Sequence, residues 1–194
     1  MIKKTKSHIR IVKTAKALFF KHGISRITVE EICKEAGVSK MTFYRTFTNK
    51  NDVAIEVLEE MIAENMSKYR AVMQADTIPF PEKIKALVAM KFQDSNEMSD
   101  EFIQDIYQKE DKTLIKHLEV HSQNAMREFM QDLGAAQAKG WIRQDVHLPF
   151  LVYFMGKLNG FIQDEIFLSL YEHPQQGIME ITNLFFYGIL EKFE

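Results

Sequence analysis

Apolar positions in the first fifty residues recur at helical spacing, and each run is closed by a residue suited to a turn. Over 5–22, Ile11, Val12, Ala15, Leu18 and Phe19 fall on one stripe, and Gly23 supplies the stop. Thr28 then fits an N-cap, with Glu31 three residues later completing a capping box. Val29, Ile32 and Ala36 line the inner side of this short second helix. Gly37 suits the positive φ that reverses the chain, and Val38 plugs the gap between helices. Ser39 caps a third helix whose Phe43 and Phe47 face inward, and Asn49 caps a fourth with Asp52 in its first turn.

The fourth pattern runs over 50–74 on a stripe of Ala54, Val57, Leu58, Met61, Ile62, Asn65, Tyr69 and Val72. Pro79 and Pro81 end it, being incompatible with a helix interior. Further helical patterns cover 81–94, 99–109, 111–139, 147–171 and 175–192, with no alternating strand pattern of useful length. The expected fold is all-α. A three-helix N-terminal domain occupies 1–49. A second helical domain occupies 50–194, with helix 50–74 as the connector.

The formal charge of −2 hides a segregation. Residues 1–50 hold 12 Lys/Arg against 3 Asp/Glu, a net of +9, while the remainder nets −11. A basic head on an acidic body points to a polyanion partner for the head alone. Apolar content of 46% is ample for a packed core. Cys33 is the only cysteine, so no intrachain disulfide can form and a reducing cytoplasm is the expected compartment. The basic N-terminus lacks the apolar run of a signal peptide. The most apolar stretch is interrupted by Lys157, Asn159, Gln163, Asp164 and Glu165, which argues against a membrane span.

Two short capped helices around a glycine turn form a helix-turn-helix, in which the second helix enters the DNA major groove. An ordinary αα corner with a solvated face is the alternative. The outward residues of the third helix fit the groove. Lys40 and Arg45 can donate to guanine O6 and N7, and Met41 or Thr42 can touch a thymine methyl. Thr28 and Lys50 flank the motif at helix N-termini, where phosphate oxygens are favoured.

The stretch 11–53 resembles the N-terminal domain of the tetracycline-repressor (TetR) family of bacterial transcription regulators. The resemblance is carried by Ile11, Ala15, Phe19, Gly23, Thr28, Ile32, Ala36-Gly37-Val38-Ser39, Thr42, Tyr44, Phe47 and Lys50. It implies three DNA-binding helices, a linking fourth helix, and a variable helical domain for ligand and dimer contacts. By that resemblance Thr28, Ser39, Tyr44 and Lys50 hold phosphates, while Lys40, Met41, Thr42 and Arg45 approach bases. Met41 stands where the family commonly has a small residue, and Arg45-Thr46 replaces a frequent Tyr-His pair, so no operator sequence can be borrowed.

A single helix-turn-helix makes few base contacts, so a homodimer on a palindromic operator is expected. The segments 149–171 and 178–193 are apolar over more than one stripe, which a lone surface helix would not tolerate. Gly156, Gly160, Phe161, Leu184, Phe185 and Gly188 are the candidate dimer residues, a four-helix interface being the expected form. Helices over 81–139 are expected to surround a cavity for a small apolar or amphipathic effector. Tyr107, His121, Met126, Phe129, Tyr153 and Asn159 are its candidate contacts. His117 and His121 share a helical face but lack an evident third ligand, so no metal is expected. No cofactor is expected, and no nucleophile–base pair or phosphate-cradling loop argues for an enzyme. The resulting expectation is a ligand-released transcriptional repressor. The rival is an architectural or partner-controlled DNA-binding protein without a small effector.

Overall fold

The computed structural model describes residues 4–107, 112–161 and 164–190, with side chains described except at 107, 112–122, 155 and 159. These residues form ten α-helices: α1 Lys6–His22, α2 Val29–Ala36, α3 Lys40–Tyr44, α4 Lys50–Met73, α5 Phe80–Asn96, α6 Asp100–Tyr107, α7 Lys112–Ala138, α8 Leu148–Phe161, α9 Glu165–Leu168 and α10 Pro174–Ile189. The fold is all-α; an isolated bridge between Ile142 and Leu190 is the extended pairing among the described residues.

The chain divides into two compact units. The first is Met1–Glu64 with Glu97–Glu119, and the second is Asn65–Asn96 with Val120–Glu194. The first unit takes in the start of α4 and α6 for a packing reason. Val53, Ala54, Val57 and Leu58 of α4, and Phe102 of α6, are buried in the same core as Ile11, Phe19, Ile32 and Phe43. Burial of each such large side chain contributes roughly 1.5–3 kcal/mol relative to exposure.

Local signals set the first unit's turns. Gly23 ends α1 at φ 79°, and a Cβ there would stand 2.8 Å from the Asp105 carboxylate and 3.0 Å from Glu101 Cβ. Only glycine meets both demands, the left-handed backbone and the close approach of α6. Gly37 ends α2 at φ 59°, and its amide reaches back to the Cys33 and Lys34 carbonyls. The Arg10 guanidinium donates to the Ala36 and Gly37 carbonyls, placing positive charge at the negative end of α2. At the start of α4 the Asn49 side chain accepts from the Asp52 amide (3.0 Å), and Asp52 accepts from the Thr48 amide (2.9 Å).

In the second unit, Phe80, Ile84 and Leu87 of α5, Leu133 and Ala136 of α7, and Phe185 and Ile189 of α10 form the core with Ile142 and Leu151. The Tyr69 hydroxyl donates to Asp132 (2.7 Å), and Arg70 grips Glu128 through two 2.7 Å bonds, so the last turns of α4 are fastened to α7. Gln137 donates to the Arg143 and Val146 carbonyls at 3.0 and 2.7 Å, fixing the turn into α8.

The single pattern expected over 147–171 is two helices, α8 and α9. Asp164 starts α9 by accepting from the Ile166 and Phe167 amides at 2.8 and 3.1 Å. The polar residues that break the apolar stretch therefore mark a new helix start. No helix among the described residues is long and apolar enough to cross a membrane.

Candidate nucleic-acid interface

The capping box expected at the second helix forms in full. The Thr28 hydroxyl accepts from the Glu31 amide (3.2 Å), and the Glu31 carboxylate takes both the Thr28 amide and hydroxyl protons at 2.7 Å. These bonds hold the Glu31 carboxyl below the usual carboxylate range. Ser39 caps α3, accepting from the Thr42 amide at 3.1 Å, and the two hydroxyl oxygens lie 3.0 Å apart. Phe43 is fully buried and Phe47 nearly so, anchoring α3 from beneath. The outward surface of α3 is then Lys40, Met41, Tyr44 and Arg45, all exposed, with Thr42 half-buried. Met41 is 82% exposed and Tyr44 stands edge-on to the Phe43 ring at 5.4 Å. Residues 40 and 44, and 41 and 45, are four apart and form adjoining stripes on one face.

The structure divides the eight candidate DNA residues by whether their protons are free to give. Arg45 makes no side-chain hydrogen bond or ion pair among the described residues, and Tyr44 and Met41 are open to solvent. Lys50 is committed: its ammonium donates to the Ser25 carbonyl (3.1 Å) and the Ile27 carbonyl (2.7 Å), clamping the α1–α2 loop. Thr28 spends both its protons on Glu31, so it has none left for a phosphate while the capping box is closed. Lys40 is paired with Glu30 of α2.

The basic head is less cationic at its surface than its composition indicates. Lys4 meets Glu56 and Glu60 at 2.6 and 2.7 Å, His8 meets Glu56 at 2.5 Å, and Lys16 meets Glu64 at 3.2 Å. The carboxylates of α4 thus form a ladder along α1. Burial pushes the Glu56 carboxyl up, but its bonds to His8 and Lys4 outweigh that and hold it below the usual range.

Sequence reasoning missed Glu30, Glu56 and Asp105. Asp105 of α6 is buried and accepts from the Ser25 amide (2.7 Å) and hydroxyl (2.9 Å). Its partner lies 80 residues away in the chain, so no local spacing marks it. For Glu30 and Lys40, ten residues apart, the helix-turn-helix geometry itself was the available signal.

Of the six residues expected around an effector, three have described side chains. Tyr107, His121 and Asn159, with His117, lie outside the described side chains. Phe129 is half-buried and ringed by Tyr69, Phe185 and Phe186 at 6.1, 6.2 and 6.0 Å, which makes it a core aromatic. Met126 of α7 is half-buried. Tyr153 is exposed on α8 beneath the Lys157 ammonium, 5.3 Å away. A groove of about 350 Å³ in this unit is lined by Arg143, His147, Phe150, Leu151, Phe154 and Leu184 among others, and Met126, Phe129 and Tyr153 are not among its lining residues.

Among the dimer candidates, Phe185 is 5% exposed and packs in its own chain's core with residues of α5 and α7. Leu184 beside it points outward at 71% exposure, and Phe161 is also exposed. Gly156, Gly160 and Gly188 are exposed, and a Cβ at any of them would meet nothing within 4 Å.

Comparison with known proteins agrees with this geometry. Residues 11–57 match the family model described as bacterial regulatory proteins, tetR family. An uncharacterized HTH-type transcriptional regulator, YerO, of Bacillus subtilis is 32% identical over 93 residues, which span 47% of this chain and 32% of that protein. The chain therefore matches about a third of that relative's length. The HTH-type transcriptional repressor KstR2 of Mycolicibacterium smegmatis is 24% identical over 75% of this chain and 72% of its own. Among solved structures, the fatty acid degradation regulator FadR of Bacillus halodurans superposes with a TM-score of 0.72 at 21% identity, covering 98% of this chain and all of that one, which shows a shared fold. The matched segment coincides with the capped helices α1 to α3 and the first turns of α4, so residues 11–57 carry the pattern of the tetR family of bacterial regulatory proteins, and the whole chain shares the fold of the Bacillus halodurans regulator.

Proposed function

We propose that the chain is a homodimeric, sequence-specific DNA-binding transcriptional regulator of the cytoplasm, acting as a repressor that a small apolar or amphipathic effector releases. The observation that carries the DNA half is the two-sidedness of α3. Phe43 is fully buried while Met41, Tyr44 and Arg45, on the opposite side, stand in solvent. A short helix with one anchored face and one open face of guanidinium, phenol and thioether fits the edges of base pairs. The repressor KstR2, similar over three quarters of this chain, supports the regulatory role.

A second copy fits the outer face of α8 and α10. Phe150, Tyr153, Leu184 and Tyr187 are each at least half exposed there, and three glycines leave room for close helix approach. A contiguous exposed apolar face is a common mark of a protein–protein contact. The helix α4 is continuous from Lys50 to Met73, with turns in both compact units, so it is the natural element to carry a signal. An effector shifts DNA affinity only if it binds the two states unequally.

The test is selection of duplexes from a random pool by the wild-type chain, followed by binding of Arg45→Ala. The variant is expected to lose about 1–3 kcal/mol of discrimination at the base pair it reads. Equal binding of all duplexes by the wild type, or an unchanged preference in the variant, overturns the assigned face. A second reading, a regulator governed by a protein partner without an effector, is favoured by one observation: Phe129, a candidate effector contact, is packed among three core rings.

A further inference from the structure

The α2–α3 surface carries one ion pair that the proposed function leaves unused. Glu30 sits in the first turn of α2 and meets the ammonium of Lys40, the first residue of α3. Both side chains are more than half exposed, at 60% and 56%. The neighbouring carboxylate, Glu31, is consumed by the capping box. The two acids of this turn therefore have separate duties: one closes the helix start and the other occupies a cation on the recognition helix. The bond to Lys40 holds the Glu30 carboxyl below its usual range, and the same bond raises the Lys40 ammonium.

Lys40 brings its full positive charge to DNA only by leaving Glu30, because the paired carboxylate offsets that charge, and its departure faces a bare carboxylate toward a polyanion. Both effects weaken a contact made to phosphate alone. At a matched site the loss is offset, because Lys40 can donate to guanine O6 and N7 while the released Glu30 accepts from a cytosine amino group. We propose that Glu30 is a specificity-determining residue, which withholds Lys40 from sequence-independent contact with duplex DNA. This rests on the DNA reading of α3 proposed above.

The experiment compares wild type, Glu30→Gln, Lys40→Gln and the double variant on two probes: a random-sequence duplex, and a duplex selected from a random pool by the wild type. Affinity is measured between about 50 and 200 mM salt, where each phosphate contact contributes about 0.9 to the log–log slope. Glu30→Gln is expected to bind the random duplex more tightly and to steepen its slope by about 0.9, roughly a three-fold larger loss of affinity across that range. The gap between selected and random duplex narrows accordingly. In the Lys40→Gln background the Glu30→Gln change is expected to leave the slope unaltered, because the withheld cation is gone. Both residues are exposed, and circular dichroism melts confirm that each variant folds before it is assayed.

An unchanged slope in Glu30→Gln, or the same change whether or not Lys40 is present, overturns the inference while leaving the DNA reading intact. A wild type that binds neither duplex overturns that reading and this inference together.

Discussion

The first compact unit encloses most of its large apolar side chains, whereas α8 and α10 of the second leave a set of theirs in water. Ile11, Phe19, Ile32, Phe43 and Phe102 are wholly buried, and the helix starts around them are closed by Thr5, Thr28, Ser39 and Asn49. In the second unit Phe150, Tyr153, Leu184 and Tyr187 are open, as are the glycines at 156, 160 and 188. The first region leaves Ile9, Met41 and Tyr44 in solvent among polar side chains. The other retains exposed apolar side chains on the face proposed above for a second copy.

The contrast can be broken most sharply by removing one ring from the finished core. Phe43→Ala is expected to cost about 3–5 kcal/mol, the cavity term adding to the lost transfer energy. Amide hydrogen exchange reports the first unit, while fluorescence of Trp141, the single tryptophan, reports the second. Loss of protection in α1 to α3 with little change at Trp141 is the expected result; an effect smaller than about 1 kcal/mol would mean that the core is not close-packed there.

Leu184→Asp tests the unfinished face. If a second copy covers it, a charge there is expected to cost at least about 2 kcal/mol of association, and sedimentation would show monomers where the wild type pairs. A paired variant would sink that role for α10. Next in size is Asp105→Ala, which strips the acceptor from the Ser25 amide and hydroxyl. A loss of about 1–3 kcal/mol is expected, with exchange rising first in the α1–α2 loop.

The smallest effect expected is pH-dependent. The Glu56 carboxyl lies below its ordinary value of 4.5 in the folded chain, so its contribution is present above that value and is lost as pH falls through the lower folded one. The first unit should therefore weaken on acidification below about pH 4.5, and Glu56→Gln should flatten that dependence by a few tenths of a kcal/mol. Parallel curves for variant and wild type would remove the α1–α4 ladder from the account.

The features legible in the sequence were those set by neighbours within one turn or one helix. The stop at Gly23, the capping box of Thr28 and Glu31, and the inward pair Phe43 and Phe47 are all local, and each stands in the structure where its spacing places it. What was not legible depends on partners distant in the chain. Lys50 is drawn to the Ser25 and Ile27 carbonyls, Lys4 and Lys16 to α4, and Asp105 to Ser25. Composition counts these charges but does not say which are spent inside the fold. Phe185 and Leu184 make the same point for apolar residues. They are adjacent in one hydrophobic run, and only the packing of α5 and α7 decides which turns inward.

Cys33, the single cysteine, is 4% exposed, and burial raises its thiol above the ordinary value. The unmodified chain is thus slow to react with maleimides and nitroxide reagents, which makes it a ready-made blank for chemical labelling. A cysteine introduced on the open side of α3 would take a spin label with little background, and distances between labelled copies could be followed as candidate molecules are added.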